Sequence, residues 1–209
     1  MKAVGKHLFN ADRQLVWDAL QDSAVLARIV PGFESLDQVA PGQFEGALKI
    51  KVGPVNGRFS GQVSLSDIDA PNGYTVALKG KGGPGFVEGT GQVQLVEQHN
   101  GAGAQTELSY DFDLKVGGRI AGVGQRLLDS ASRVFTKEAL DNLEKQINAR
   151  AEAARTGGPL AEVAAPSQAA FAAAMVKGVA ADVVPRRAWP LIIAALLGTA
   201  ALITWLLIR

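Results

Sequence analysis

Between residues 48 and 116 apolar side chains recur at every second position. Leu48, Ile50 and Val52 alternate with polar neighbours, as do Phe59, Val63 and Leu65 around Gly61. Tyr74, Val76 and Leu78 follow, then Val93 and Leu95, and last Leu108, Tyr110, Phe112, Leu114 and Val116. Turn signals separate these runs at Pro41-Gly42, Gly53-Pro54, Asn56-Gly57, Pro71-Asn72-Gly73 and Asn100-Gly101. A period of two puts alternate side chains on one face, so the pattern predicts consecutive hairpins in an antiparallel sheet with one apolar face. Upstream, residues 2–9 read as a further strand. Asn10 or Asp12 can cap a short helix carrying Leu15, Val16, Ala19 and Leu20, and Ser23 a second with Leu26, Ile29 and Val30, ended by Pro31-Gly32.

After residue 122 the spacing becomes helical. Val123, Leu127, Ala131, Val134, Phe135, Leu140, Leu143 and Ile147 share one face over residues 122–149. The predicted order is strand, two short helices, about six strands and one long helix. That is an α+β domain over residues 1–149, with a curved antiparallel sheet gripping a C-terminal helix and leaving room for an apolar space between them.

Beyond the domain the pattern changes twice. Residues 150–187 are rich in Ala, Gly and Pro and predict a flexible linker, spanning on the order of 30 to 40 Å as a coil. Within it Phe171, Met175, Val179 and Val183 recur every four residues behind Ser167, which leaves a short docking helix open. Residues 188–208 contain no charged side chain, and as a helix they would span roughly 30 Å, the hydrocarbon thickness of a bilayer. Trp189 and Trp205 sit near its ends, and Arg186, Arg187 and Arg209 bracket it. The expectation is a single-pass C-terminal membrane anchor, with a buried core helix as the alternative. Two arginines before the span and one after it, and no signal-like apolar run in residues 1–10, place the domain on the cytoplasmic side of the inner membrane.

Charge and candidate chemistry narrow the function. Residues 1–150 carry 16 Lys+Arg against 17 Asp+Glu, so nothing supports nucleic-acid binding. Cysteine is absent, and only His7 and His99 could serve as imidazole ligands, so no metal site is expected. Gly80-x-Gly82-x-x-Gly85 matches a dinucleotide fingerprint, but strand-like Phe86-Val87 follows where a helix should begin. A glycine-rich hairpin turn and a mobile flap at a cavity mouth both remain open readings. Asp67/Asp69 and Asp111/Asp113 lie at strand spacing beside apolar residues, which points them outward into solvent. Arg119 and Arg126, at the start of the long helix, are either solvated or in contact with a lipid headgroup or an acidic partner. No catalytic residue is assigned.

Parity gives a candidate cavity. Phe59, Val63, Leu78, Val87, Tyr110 and Phe112 point inward, opposite Leu127, Ala131, Val134 and Phe135. Gly89 and Gly91 share the parity of Val87 and Val93, so the sheet is expected to be thinnest there. The mouth falls to Val52, Pro54 and Val55 on one turn and to Gly82, Gly83, Pro84, Gly85 and Phe86 on another.

Three segments carry a family resemblance: Val16-Trp-Asp-Ala-Leu-Gln-Asp with Leu26-Ala-Arg and Pro31-Gly-Phe-Glu-Ser-Leu36; Gly80-Lys-Gly-Gly-Pro-Gly-Phe-Val-Glu-Gly-Thr90; and Val116-Gly-Gly-Arg-Ile-Ala-Gly-Val-Gly-Gln-Arg-Leu-Leu-Asp129. Together they resemble the CoxG-like family of carbon monoxide dehydrogenase proteins, within the START/SRPBCC superfamily, over residues 1–147. The resemblance implies a helix-grip fold with a lipophilic cavity and a non-enzymatic role beside a molybdenum-containing carbon monoxide dehydrogenase-type enzyme, in membrane recruitment or maturation. It requires no cofactor; a respiratory quinone or other isoprenoid lipid is the expected cavity ligand. Relatives often carry a cysteine after the Pro-Gly turn; Phe33 stands there instead. Two other readings stay open. One is a cyclase or hydrolase with an inward polar group such as Tyr74 or Tyr110, and the other is a passive anchor with a filled core.

Overall fold

The computed structural model describes residues 1–99 and 103–157. The expected anchor at 188–208, the docking helix behind Ser167 and the linker from residue 158 on lie outside the described residues. Among the described residues no helix is long and apolar enough to cross a membrane. The order is β1 (Lys2–Phe9), α1 (Arg13–Gln21), α2 (Ser23–Ile29), β2 (Phe33–Ala40), β3 (Gln43–Val52), β4 (Val55–Asp69), β5 (Gly73–Gly82), β6 (Gly85–His99), β7 (Ala104–Gly117), a 3-10 turn (Ala121–Val123) and α3 (Gln125–Thr156).

The strands form one antiparallel sheet in the order β1-β7-β6-β5-β4-β3-β2. Strands β2 to β7 are laid down as successive hairpins, while α1 and α2 carry the chain from β1 at one edge to β2 at the other. Glycines on the inner face let the sheet curl. A Cβ on Gly61 would strike the Lys79 carbonyl, one on Gly82 the Arg58 carbonyl and one on Gly89 the Asp113 carbonyl. Bare backbone at these points lets neighbouring strands fold toward each other.

Local chemistry explains the helix ends. Asp12 caps α1, its carboxylate accepting from Gln14 N at 2.8 Å. The cap of α2 is Asp22 rather than Ser23: its carboxylate accepts from Ala24 N at 2.8 Å and Val25 N at 3.3 Å, and Ser23 becomes the first helical residue. Helix α3 starts at Gln125, later than the expected residue 122, because Gly118 and Gly124 take φ of +83° and +90° around the 3-10 turn. It runs to Thr156, through residues expected in the linker, and stops at left-handed Gly157.

The main core lies where α1, α2 and the C-terminal half of α3 meet the sheet. Phe9, Val16, Leu95, Leu143 and Ile147 are almost fully buried there, with Trp17, Val25, Ile29 and Leu108 beside them. A smaller cluster at the other end joins Val52 and Ala131 to Ile50, Val123, Leu127 and Val134. Between the two clusters the helix and the sheet do not close.

Candidate ligand cavity

That gap is an apolar cavity of about 450 Å³. β5, β6 and β7 supply Tyr74, Leu78, Val87, Val93, Leu108, Tyr110, Phe112, Leu114 and Val116, each projecting inward by strand parity. Leu128, Ala131, Ser132, Phe135, Thr136, Ala139 and Leu140 come from α3, and Met1, Ala3, Leu20, Ile50, Val52 and Ile120 close the remaining sides. A second chamber of about 310 Å³ continues it beneath β2, β3 and β4; Ile50, Leu78, Val87 and Phe135 line both. Each volume falls within the roughly 300–1,000 Å³ that small-molecule sites occupy.

The second chamber has an unusual floor. Gly46 pairs with Gly61, and Gly61 with Gly80, so three inward positions in one row across β3, β4 and β5 carry no side chain. A Cβ on Gly80 would meet nothing closer than 3.8 Å. The same three glycines also border a groove on the outer face, so the wall there is one backbone thick.

The residues expected inside fall into three groups. Leu78, Val87, Tyr110, Phe112, Ala131 and Phe135 line the main chamber; Phe59 and Val63 line the second. Leu127 and Val134 line neither, because α3 is turned so that they pack against the end of β3 with Val52, while Leu128, Ser132, Thr136 and Ala139 face the space. Gly89 and Gly91 do face inward, opposite Leu114 and Phe112, but the wall is not thin there. The Phe112 ring lies over Gly91, and Leu114 approaches within 2.9 Å of where a Gly89 Cβ would stand. The bare patch expected at Gly89 and Gly91 lies instead along Gly46, Gly61 and Gly80.

At the mouth, Val52 is buried and lines the main chamber, Pro54 is exposed and Val55 half-buried. Pro84 folds across Gly57, and its carbonyl accepts from Ile120 N at 2.9 Å, while Arg119 donates to Gly83 O at 3.4 Å. Gly82 presses on β4 at Arg58, and Gly85, with φ +140°, on Gly117. Phe86, expected at the mouth, instead points its ring to the outer face, where it packs over Gly117 and is 36% exposed. The glycine-rich turn is thus tied to the segment leading into α3. That helix begins with no side-chain cap and no acid in its first turn, which leaves a bare positive end at the mouth.

Polarity inside the cavity is confined to hydroxyls. Among the described residues none hydrogen-bonds Tyr74, Tyr110, Ser132 or Thr136 through its side chain. Tyr74 stands edge-on to Trp17, with ring centroids 5.6 Å apart, and burial pushes its phenol well above the usual range. It therefore stays protonated at neutral pH and can offer a hydrogen to a carbonyl oxygen. Sequence reasoning misses Ser132, Thr136 and Ala139 because small and polar residues do not mark a helix face by hydrophobicity. Among the described residues no three His, Cys, Asp or Glu side chains gather as metal ligands.

Residues 5–148 match the model of the carbon monoxide dehydrogenase CoxG family. Among solved structures, a conserved protein from Geobacillus kaustophilus is similar with a TM-score of 0.67 and 26% identity, over 73% of this chain and 97% of its own. The Zhui aromatase/cyclase from Streptomyces sp. R1128 has a TM-score of 0.53 at 17% identity, over 74% of this chain and 97% of its own. A START superfamily protein from Mycobacterium smegmatis has 0.53 at 12%, over 70% and 97%. The last two likenesses concern the fold alone. No curated protein matches the sequence.

Proposed function

The chain belongs to the carbon monoxide dehydrogenase CoxG family, and on that premise we propose that it is a membrane-associated, non-enzymatic lipid carrier serving a carbon monoxide dehydrogenase-type molybdenum enzyme. The observation that carries this reading is the apolar cavity of about 450 Å³ beneath α3, with hydroxyl donors set in an otherwise hydrocarbon wall. The ligand that fits such a wall has a long apolar body and a few carbonyl oxygens. A respiratory quinone has both. Its isoprenoid chain gains about 0.8 kcal/mol for each CH₂ taken out of water, so it does not cross an aqueous gap unescorted. Anchored by residues 188–208, the domain would hold the enzyme near the bilayer and pass quinone between them.

The Zhui aromatase/cyclase on the same fold raises the alternative that this cavity is a reaction site. Tyr74 and Tyr110 do point inward, but the residues lining the cavity include no carboxylate, imidazole or amine. Tyr74, held protonated, is a poor general base. This chemistry supports binding over turnover. The deciding experiment is mass spectrometry of organic extracts from full-length protein purified out of membranes. An isoprenoid quinone in near-equal amount is the expected result. Protein free of any lipophile would return the passive anchor, and a consumed or cyclised compound would return the enzyme.

A further inference from the structure

Although the domain is close to neutral, its two ends are not. The cavity mouth is formed by the β3–β4 turn, the β5–β6 turn and the segment from β7 into α3. Basic residues close the strands at this end. Arg58 is engaged by Glu34 at 2.5 Å and Lys115 by Glu88 at 3.5 Å. Lys51, Lys81 and Arg126 are exposed and have no ion pair among the described residues, and Arg119 reaches only the Gly83 carbonyl. Asp129, the acid nearest Arg126 along α3, accepts from the Gln125 side chain at 2.7 Å. The opposite end is acidic, with Asp67 and Asp69 before the β4–β5 turn and Asp12 and Asp18 on α1. Apolar groups stand among the mouth's cations: Pro54 is exposed at its turn tip and Phe86 is 36% exposed beside Gly117.

From this polarity we propose that the mouth end docks on an anionic bilayer surface, so that the cavity opens toward lipid. Lysine and arginine stems reach phosphate headgroups while their neighbours Pro54 and Phe86 enter the acyl boundary. An acidic protein would match the charge but would leave those apolar tips without a purpose. A basic residue near an anionic surface contributes about a five-fold preference at low salt, so Lys51, Lys81 and Arg126 together account for about a hundred-fold. Salt screens it. The proposal takes its purpose from the carrier reading but is tested without any quinone, so each can fail alone.

The chain has no cysteine, so one introduced thiol carries one label. Full-length Pro54→Cys and Asp69→Cys variants, each bearing an environment-sensitive fluorophore, are placed in nanodiscs of phosphatidylcholine alone or mixed with phosphatidylglycerol. The label at 54 is expected to shift to the blue only in the phosphatidylglycerol discs, and the label at 69 in neither. Charge reversal by Lys51→Glu, Lys81→Glu and Arg126→Glu together should abolish the shift. Lys51→Gln alone, which removes one exposed charge, should weaken docking about five-fold. A label at 54 that stays in water on both discs overturns the proposal and leaves the rim to an acidic protein. Equal shifts in the two compositions, or no response to Lys51→Gln, also overturn it.

Discussion

Beyond residue 140, α3 meets a filled core, whereas over residues 125–139 the same helix spans a void. In the C-terminal half Leu143 and Ile147 are sealed among Phe9, Val16 and Leu95. Asn142 donates to the Ile29 carbonyl at 3.2 Å and satisfies the end of α2, and Arg150 pairs with Asp22, the cap at its start. In the N-terminal half Leu128, Ser132, Thr136 and Ala139 face the cavity, with only the small Val52–Ala131 cluster beneath. One continuous helix thus divides two tasks. The clamped half supplies stability, and the other half can leave a ligand-sized space without a compensating core of its own.

The largest test of this division is a pair of truncations. Leu143→Ala should cost about 2–5 kcal/mol in urea denaturation, the range for a buried leucine whose site cannot collapse. Leu128→Ala, which enlarges a space already present, should cost under about 1 kcal/mol. Equal losses would erase the distinction. Next, Gly91→Leu should destabilise by about 1–3 kcal/mol, because the Phe112 ring already occupies the place of its Cβ. A neutral outcome in thermal melts would mean that the wall is as thin there as strand parity alone suggests.

A smaller effect falls at the clamp. Burial opposes the charge on Asp22, but the Arg150 hydrogen bond, the N–H groups of Ala24 and Val25 and the guanidinium charge outweigh it and hold its carboxyl below the usual 3.8. A depressed folded value means that the stabilisation is present above pH 3.8 and lost as pH falls through the folded value. Asp22→Ala should cost about 1 kcal/mol at neutral pH. Asp22→Asn, which can still cap, should melt with less acid dependence than the parent below pH 4, read by circular dichroism. The smallest change is Tyr74→Phe. Removing an unpartnered hydroxyl should move stability by less than about 0.5 kcal/mol, yet weaken a quinone whose carbonyl it meets by several-fold in a fluorescence titration.

Most of the architecture was legible because strict alternation and clear turns leave few options. The runs at 48–52, 59–65, 74–78 and 108–116 became β3, β4, β5 and β7, with the expected faces inward. Strand β2 was not separately visible: its polar residues do not alternate, and it carries irregular pairing at Phe33/Ser35 and Gln38/Ala40. The cavity was harder to read than the sheet. A strand allows two faces, so parity settles which side Leu78 and Tyr110 take. On a helix a rotation of one residue's width exchanges Leu127 and Val134 for Leu128, Ser132 and Thr136, and only packing against β3 fixes it. Glycine spacing likewise shows where side chains are missing, but not that the next strand's Phe112 fills the gap.

Amide hydrogen exchange along α3, with and without a short-chain isoprenoid quinone, tests the central claim most directly. Without quinone, residues 125–139 should exchange faster than 140–150, since local opening there breaks little packing. Added quinone should slow exchange over 125–139 and leave 140–150 unchanged. Equal protection of the two halves, unaltered by quinone, would mean that the interior is a filled core and that α3 does not roof a lipid site.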